Sequence, residues 1–184
     1  MRAFIAVELP EEVHGSVVRG LSELRHRLPA ARWVRPEGIH VTLRFLGEQE
    51  PSLLATLGDR VAGELSALPP VEVRLAGGGF FPHERRPRVA WLGGSGPGLE
   101  AWAAAIGRCV TGLGIEADDR AFSLHVTLAR LDRPWEAADV EMFSAVVSKW
   151  RLPEFTAREV VLFASELRPS GALHTPLRRI EVGG

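Results

Sequence analysis

The sequence predicts a mixed α and β fold in which two pseudo-symmetric lobes enclose a central cleft. The first observation is that the tetrapeptide His-Val-Thr-Leu occurs twice, at residues 40–43 and 125–128. The second is that a strand-like apolar run precedes both copies at the same separation, at residues 3–7 and 88–92. The third is that a segment with the 3.6-residue period of an amphipathic helix follows each run. This recurrence indicates an internal duplication, and we expect the duplicated halves to pack as related lobes.

Each half of the chain is predicted to repeat the order strand, helix, motif strand, helix, strand. The half-repeats cover approximately residues 1–78 and 86–168, and a further strand at 173–182 closes the chain. The remaining elements, in chain order, are a strand at 3–7, helices at 11–28 and 51–68, strands at 71–75 and 88–92, helices at 99–113 and 135–150, and a strand at 157–163. The sequence contains no long linker, so residues 1–184 are interpreted as a single bilobal domain.

Three consecutive glycines, Gly77, Gly78 and Gly79, lie near the junction of the half-repeats. A phosphate-binding loop needs a helix start and a lysine at a fixed distance from its glycines, and the sequence has neither here. We therefore interpret the three glycines as a bend between the halves.

The composition excludes several classes of protein. The formal net charge of −1 argues against a protein that coats long nucleic acid by charge alone. Cys109 is the only cysteine, so neither an intramolecular disulfide nor a cysteine-based zinc site is expected, and a reducing compartment fits. No apolar stretch approaches the roughly 18 residues that a membrane span needs. We expect a cytoplasmic protein, and the absence of an exposed heptad pattern favours a monomer.

Side-chain alternation along the two motif strands selects the residues that face the cleft. In each strand the apolar residues alternate with the polar ones, so the apolar set can face a layer of helices. His40 and Thr42 then share the other face of the first strand, and His125 and Thr127 share that of the second. Two lobes that bring these polar faces together would hold two imidazoles and two hydroxyls around one position.

Two histidines on opposite sides of one position suit the opening of a cyclic phosphodiester. This reaction needs a base to take a proton from water and an acid to protonate the leaving oxygen, and histidine serves both tasks near neutral pH. Attack and departure occur in line on opposite sides of phosphorus, which a pseudo-two-fold arrangement matches. The threonine hydroxyls can donate hydrogen bonds to the non-bridging oxygens. The chemistry requires no metal, and the sequence offers no clear set of metal ligands.

The motifs and their surroundings resemble one known family. The sequence is similar to the bacterial and archaeal RNA 2′,3′-cyclic phosphodiesterases, also called 2′-5′ RNA ligases, of the two-histidine phosphoesterase superfamily. The likeness covers nearly the whole chain and is most specific at residues 33–47 and 125–130. It implies an α+β fold of two pseudo-symmetric lobes, each with a mostly antiparallel sheet lining the cleft and with helices outside.

The resemblance also implies an activity and roles for the motif residues. Family members hydrolyse a 2′,3′-cyclic phosphate at an RNA end to a 2′-phosphomonoester without metal or cofactor, and they can join or cleave 2′-5′ linkages. By motif match, His40 and Thr42 carry over from the first signature, and His125 and Thr127 carry over from the second. We expect His40 to be the general acid and His125 the general base, although the identical motif copies leave the reverse assignment open.

Four further residues are candidates for binding the substrate. The family commonly has a basic residue at the position of Arg130, but strict alternation puts this residue on the apolar face. It reaches the cleft only if the strand ends or bulges near Leu128, and otherwise it is structural. Arg44 has the correct parity but lies nearer the rim of the cleft. Phe45 and Phe81 can stack on a terminal base, with core packing as the alternative role of each.

Several alternatives stay open. The expected ligand is an RNA end that carries a 2′,3′-cyclic phosphate, with small cyclic or 2′-5′-linked nucleotides as alternative substrates. A nucleotide-binding module of the same fold without catalytic activity is the alternative function. The family often has an aromatic residue near the C-terminus where this chain has His174, which we interpret as a tolerated substitution. Trp91 is interpreted as a core residue.

Overall fold

The protein is described here by a computed structural model that covers residues 1–116, 121–168 and 171–183. Within these ranges it contains four α-helices and nine β-strands. The elements are, in chain order, β1 (Arg2–Glu8), α1 (Glu11–Arg27), β2 (Arg32–Trp33), a 3-10 turn (Pro36–Gly38), β3 (His40–Glu48), α2 (Pro51–Leu65), β4 (Val71–Phe81), β5 (Val89–Ser95), α3 (Leu99–Gly112), β6 (Val126–Arg130), α4 (Ala137–Val147), β7 (Phe155–Ala157), β8 (Glu159–Arg168) and β9 (Gly171–Glu181). The predicted helices and strands occur in the predicted order, except that β2 was not predicted and the strand predicted at residues 157–163 is divided between β7 and β8.

The helices form where apolar residues recur at helical spacing, and α1 illustrates this. Its buried side chains lie on one stripe that faces the core. The stripe consists of Val13, Val17, Leu21 and Leu24. Two glutamates in the first turn and three basic residues in the last turn complement the helix dipole. No helix in the described ranges is both long enough and apolar enough to cross a membrane.

The strands form two antiparallel sheets that exchange strands between the halves of the sequence. One sheet has the order β3-β1-β8-β9, and the other has the order β2-β6-β5-β4-β7. The first-half strands β1 and β3 are therefore joined by β8 of the second half, while β5 and β6 are joined by β4 of the first. The order β3-β1-β8 corresponds to the order β6-β5-β4, so the sheets are pseudo-symmetric. The α+β fold with two related antiparallel lobes is confirmed.

The single strand predicted at residues 157–163 is in fact two strands in different sheets. Strand β7 pairs with β4 in the second sheet, whereas β8 pairs with β1 in the first. The chain thus passes from one lobe to the other at Arg158. Because β7 and β8 are separated by this one residue, their apolar side chains read as one strand in the sequence.

Alternation along β1 divides the apolar side chains between two clusters. Ile5 and Val7 join the large core that also contains the helix stripes. Phe4 and Ala6 point to the opposite face, where they form a small cluster with two side chains of β8. This second face also carries His40, because the ring of Phe4 stacks on the His40 imidazole. The two faces of β1 therefore serve the core and the cleft, respectively.

The interpretation of Gly77, Gly78 and Gly79 as a bend between the halves is wrong, because all three lie inside strand β4. The pairing of β4 with β5 shifts between Leu75 and Gly78, and Gly77 has a φ of +69°, so the strand is bulged there. Gly79 has a different role. A Cβ atom at this position would lie 2.4 Å from Cζ2 of Trp91, so the absence of a side chain makes room for the indole ring.

Gly79→Ala is expected to lower the free energy of unfolding by about 1–3 kcal/mol, because the added methyl group displaces the Trp91 indole. Urea unfolding followed by tryptophan fluorescence measures this change. Gly63→Ala is the matched control, since a Cβ on this exposed helical glycine meets no atom within 4 Å. The free energy of unfolding of this control variant is expected to rise by up to about 1 kcal/mol. Equal stability of the Gly79 variant and the wild type would contradict the packing argument.

Candidate active site

Both motif strands carry a β-bulge at the leucine of His-Val-Thr-Leu. Two consecutive residues of β1 pair with Arg44 and Thr42 of β3. Leu43, which lies between these two residues of β3, is therefore left without a partner. A bulge adds one residue to its strand and shifts the side-chain alternation beyond it. The prediction that Arg44 lies on the same strand face as Thr42 is therefore wrong, because the bulge between these two residues shifts Arg44 away from that face. Phe45, which is 50% exposed, takes the next position on the cleft side.

The equivalent bulge in β6 resolves the position of Arg130. Two consecutive residues of β5 pair with Ala129 and Thr127, so Leu128 is the extra residue. Leu128 and Ala129 are both fully buried, although strict alternation would expose one of them. The shift brings Arg130 to the same side as Thr127, where both line a cavity. Of the alternatives left by the sequence, the bulge near Leu128 is confirmed.

The two sheets enclose a cavity of about 650 Å³, a size that accommodates a nucleotide. Every site residue predicted from the sequence contributes to its lining except His40. His40 lies two residues from Thr42 on the same strand face. It is also close enough to His125 for the charge of His125 to lower the pKa of His40. The fold thus brings the two motif copies to one place.

The imidazole of His40 lies among aromatic rings. It stacks on Phe4 with ring centres 4.9 Å apart and planes inclined by 23°. Phe163 lies 6.3 Å away, and His174 meets the ring edge-on at 5.6 Å. Burial is the main reason that the pKa of His40 falls to about 4, and the charges of His174 and then His125 act in the same direction. His40 is therefore a neutral imidazole at pH 7.

This low pKa has a consequence for stability that can be measured. The pKa of His40 falls from its ordinary value of 6.5 in the unfolded chain to about 4 in the folded protein. As the pH falls from 6.5 to 4, the unfolded chain takes up the proton first, so stability is lost over this window. The loss from this group is about 3 kcal/mol.

Urea unfolding of the wild type and of His40→Gln at pH 7 and at pH 4.5 tests this prediction. The wild type is expected to lose roughly 2–3 kcal/mol more than the variant on acidification. The other titrating groups are common to both proteins and cancel in the comparison. Equal losses in the two proteins would show that His40 is not held neutral by its surroundings.

His125 has a different environment. Its Nδ1 lies 2.7 Å from the carbonyl oxygen of Ser123, so Nδ1–H donates to that carbonyl and Nε2 is left for a ligand. Phe81 meets the ring edge-on with centres 5.0 Å apart, and Trp91 lies 6.4 Å away. Trp91 itself packs on Phe81 at 5.2 Å. The two aromatic residues together hold His125, so Trp91 supports the site as well as the fold.

The two remaining arginines at the cavity differ in how they are held. The guanidinium of Arg44 packs on helix α3, where a Cβ at Gly107 would lie 2.6 Å from its Nη2. Arg88, which our sequence reasoning missed, also lines the cavity and donates from Nη1 to the carbonyl oxygen of Asp132 at 3.0 Å. The one signal in the sequence was that the strand-like run at 88–92 begins with a basic residue.

Across residues 1–116, 121–168 and 171–183, no three histidine, cysteine, aspartate or glutamate side chains come together in a way that could hold a metal ion. The histidines of the cleft are accompanied by aromatic rings and threonines.

Comparison with known sequences identifies one family. The family model described as LigT like Phosphoesterase matches residues 7–91 and 94–174. An RNA 2′,3′-cyclic phosphodiesterase of Thermus thermophilus is 36% identical, over 100% of this chain and 91% of the relative. One of Archaeoglobus fulgidus is 32% identical, over 98% of this chain and 100% of the relative.

Comparison with solved structures supports the same fold. The crystal structure of TT0787 of Thermus thermophilus superposes with a TM-score of 0.82 at 30% identity, covering 100% of this chain and 99% of that one. The crystal structure of E. coli LigT complexed with 3′-AMP superposes with a TM-score of 0.77 at 26% identity, covering 100% and 98%. These neighbours share the arrangement of two lobes around a cleft.

Proposed function

The chain belongs to the LigT like phosphoesterase family, and from this premise we propose that the protein is an RNA 2′,3′-cyclic phosphodiesterase. It opens a terminal 2′,3′-cyclic phosphate to a 2′-phosphomonoester. The observation that carries the proposal is the meeting of the two motif copies, from two pseudo-symmetric sheets, at one nucleotide-sized cavity. The names of the curated relatives and the 3′-AMP complex of a structural neighbour support a nucleotide ligand.

In the proposed reaction His40 is the general base and His125 is the general acid. A ring nitrogen of His40 takes a proton from water as the water oxygen bonds to phosphorus. The bond from phosphorus to O3′ breaks on the opposite side, and Nε2–H of His125 donates its proton to O3′. The product carries its phosphate on O2′. Proton exchange with solvent then restores both histidines.

This assignment reverses the one expected from the family resemblance. His40 is stacked on Phe4 and flanked by His174, and its pKa of about 4 leaves it neutral and able to accept a proton at pH 7. His125 has its Nδ1–H held by the carbonyl of Ser123, so Nε2 is the nitrogen that exchanges protons with the substrate, and His125 acts as the acid when both ring nitrogens carry a proton. Because the reaction needs one acid and one base, His125 supplies the proton to the leaving oxygen.

Three polar residues are proposed to hold the phosphate. Thr42 and Thr127 line the cavity from opposite sheets, so their hydroxyls can donate to the two non-bridging oxygens. Arg130 lies on the same side as Thr127 beyond the bulge and supplies a positive charge. Charge-assisted hydrogen bonds of this kind strengthen as negative charge accumulates on the phosphate oxygens.

Phe45 is the better of the two candidates for contact with a nucleobase. Its side chain is half exposed at the cavity, and aromatic faces of this kind bind bases by stacking. Phe81 packs against His125 and Trp91, so we assign it the role of holding His125 in place. Arg44 is assigned a structural role against Gly107 of α3.

We also propose that the protein acts as a monomer in the cytoplasm. One chain contributes both motif copies to the cavity, so the site is complete without a partner. Cys109 is buried and forms no disulfide, which fits a reducing compartment. Size-exclusion chromatography with light scattering tests the oligomeric state.

The experiment that tests the proposed function is hydrolysis of two substrates in the presence of EDTA. One is a short RNA ending in a 2′,3′-cyclic phosphate, and the other is the corresponding cyclic mononucleotide. We expect both to be opened, with the phosphate of the product on O2′ as identified by phosphorus NMR. A 3′-phosphate product would contradict the assignment of O3′ as the leaving group. Binding of the nucleotide without turnover would indicate a binding module, and a longer RNA product would indicate 2′-5′ ligation.

A further inference from the structure

The second sheet carries three arginines where its strands border the cavity. Arg130 of β6 is directly opposite Arg32 of β2 and directly opposite Val89 of β5. Directly opposite residues of antiparallel strands share one face, so the side chains of Arg32 and Arg130 lie on the same face of the sheet. Arg88, which precedes Val89, lines the cavity together with Arg130. We call Arg32, Arg88 and Arg130 the basic rim.

The contacts within the basic rim leave an excess of positive charge. Like charges directly opposite each other in a sheet repel, as Arg32 and Arg130 do. Nη2 of Arg32 lies 2.9 Å from Oδ1 of Asp132, and the two side chains are 67% and 68% exposed. Arg88 donates from Nη1 to the backbone carbonyl oxygen of Asp132, which carries no full charge. The carboxylate of Asp132 therefore balances one of the three positive charges.

This arrangement has more positive charge than a cyclic phosphate requires. A 2′,3′-cyclic phosphate carries one negative charge, to which the proposed function assigns Arg130 and the two motif threonines. Arg32 and Arg88 are left to serve a second anionic group. The ion pair of Arg32 with Asp132 does not prevent this, because an exposed ion pair contributes little to stability. A phosphate can replace the carboxylate, since guanidinium groups bind both in the same two-pronged geometry.

We propose that Arg32 and Arg88 bind the phosphodiester on the 5′ side of the terminal nucleotide, so that the enzyme selects the end of an RNA chain over a cyclic mononucleotide. This inference rests on the proposed function, in which Arg130 holds the reacting phosphate. Consecutive phosphates of RNA are separated by one ribose. Neighbouring strands are about 5 Å apart, and the long side chains of Arg32 and Arg130 can spread their guanidinium groups over such a distance. Asp132 then competes with the RNA for Arg32.

Two dinucleotides that end in a 2′,3′-cyclic phosphate test the proposal. One has a phosphodiester between its nucleosides, and the other has an uncharged methylphosphonate at the same position. The linkage preference is kcat/KM for the first substrate divided by kcat/KM for the second. For the wild type we expect a linkage preference of about 10- to 100-fold. Between 50 and 200 mM salt it should fall by about two- to threefold, as for one phosphate contact. A linkage preference of one would overturn the proposal.

Variants of the basic rim should change the linkage preference in opposite directions. Arg32→Gln and Arg88→Gln are each expected to lower it by about three- to tenfold, because each loses a charged partner of the phosphodiester. Asp132→Asn is expected to raise it, since no carboxylate then competes for Arg32 and the backbone carbonyl that binds Arg88 is kept. Equal losses on both substrates in both arginine variants would overturn the proposal. A preference that does not rise in Asp132→Asn would overturn the assignment of Arg32.

Arg74→Gln is the matched control for these variants. Arg74 forms an exposed ion pair with Glu154, as Arg32 does with Asp132, and the two side chains are 70% and 64% exposed. It also lies in the second sheet, on β4, seven residues before Phe81 at the cavity. The control therefore removes one positive charge from the same sheet at a distance from the basic rim. Its linkage preference should equal that of the wild type.

Calorimetric binding of the two product dinucleotides, which carry a 2′-phosphate, gives a readout that does not depend on turnover. We expect the ratio of the two Kd values to follow the linkage preference across the variants. Circular dichroism checks the fold of each variant, and Arg32→Gln serves if Arg88→Gln does not fold. Equal Kd values for both linkages in the wild type would overturn the inference. Absence of hydrolysis together with linkage-dependent binding would overturn only the proposed function.

Discussion

Replacing either His40 or His125 by alanine is expected to lower kcat/KM for a 2′,3′-cyclic phosphate by about 10²- to 10⁴-fold. Each substitution removes one of the two proton transfers. The remaining histidine cannot substitute, because in-line displacement needs the base and the acid on opposite sides of phosphorus. The double variant is expected to fall little further, since acid and base act in one transition state and their effects do not add.

Initial rates of hydrolysis at pH 7 in the presence of EDTA give these ratios. His26→Ala is the matched control, because His26 is exposed on α1 and should not affect turnover. Circular dichroism establishes that each variant is folded. Full activity of either site variant would contradict the two-histidine mechanism, and loss of wild-type activity in EDTA would contradict its independence from metal.

The order of helices and strands could be predicted because apolar periodicity is a local property of the chain. The strands with which the third strand of each half pairs could not be predicted from this periodicity. The segments at residues 71–75 and 157–163 read as equivalent strands, and each was expected to complete its own half. Instead, β4 and β8 are exchanged between the sheets. A strand with one apolar face fits either sheet, so tertiary packing decides where it pairs.

Alternation predicted the positions of His40, Thr42, His125 and Thr127 relative to the cleft, because these residues precede the bulges. It failed after the leucine of each motif. A bulge depends on the register of the neighbouring strand, which the sequence of the bulged strand does not contain. This is why the expected parity was wrong for Arg44, and why the sequence left the position of Arg130 open.

The environment of each histidine depends on several strands, and the identical motif copies conceal it. His40 is enclosed by side chains of β1, β8 and β9, whereas His125 meets side chains of β4 and β5. Only the assembled sheets place His174 beside one copy and Phe81 beside the other. The pseudo-symmetric sequence therefore predicts two equivalent histidines, while the folded protein makes them different.

A substrate that needs no acid separates the roles of the two histidines. When sulfur replaces O3′ of the 2′,3′-cyclic phosphate, the substrate keeps a five-membered cyclic phosphodiester and a thiolate leaves without protonation. Loss of the general acid then lowers kcat/KM only slightly, whereas loss of the general base still prevents activation of water. For His125→Ala we expect the deficit relative to wild type to shrink from about 10²- to 10⁴-fold to within about tenfold. For His40→Ala we expect the deficit to stay within a few-fold of its value with the oxygen substrate.

Comparing each variant with the wild type on the same substrate removes any general effect of sulfur on turnover. Thr42→Ala is the control, because a residue that binds non-bridging oxygens should lose the same factor with both substrates. Rescue of His40→Ala instead of His125→Ala would make His40 the acid, as the family resemblance implies. Because burial lowers the pKa of His40 to about 4 in the free protein, that result would require the bound phosphate to outweigh the aromatic surroundings. The proton distribution in the active site would then be decided by the substrate and not by the fold.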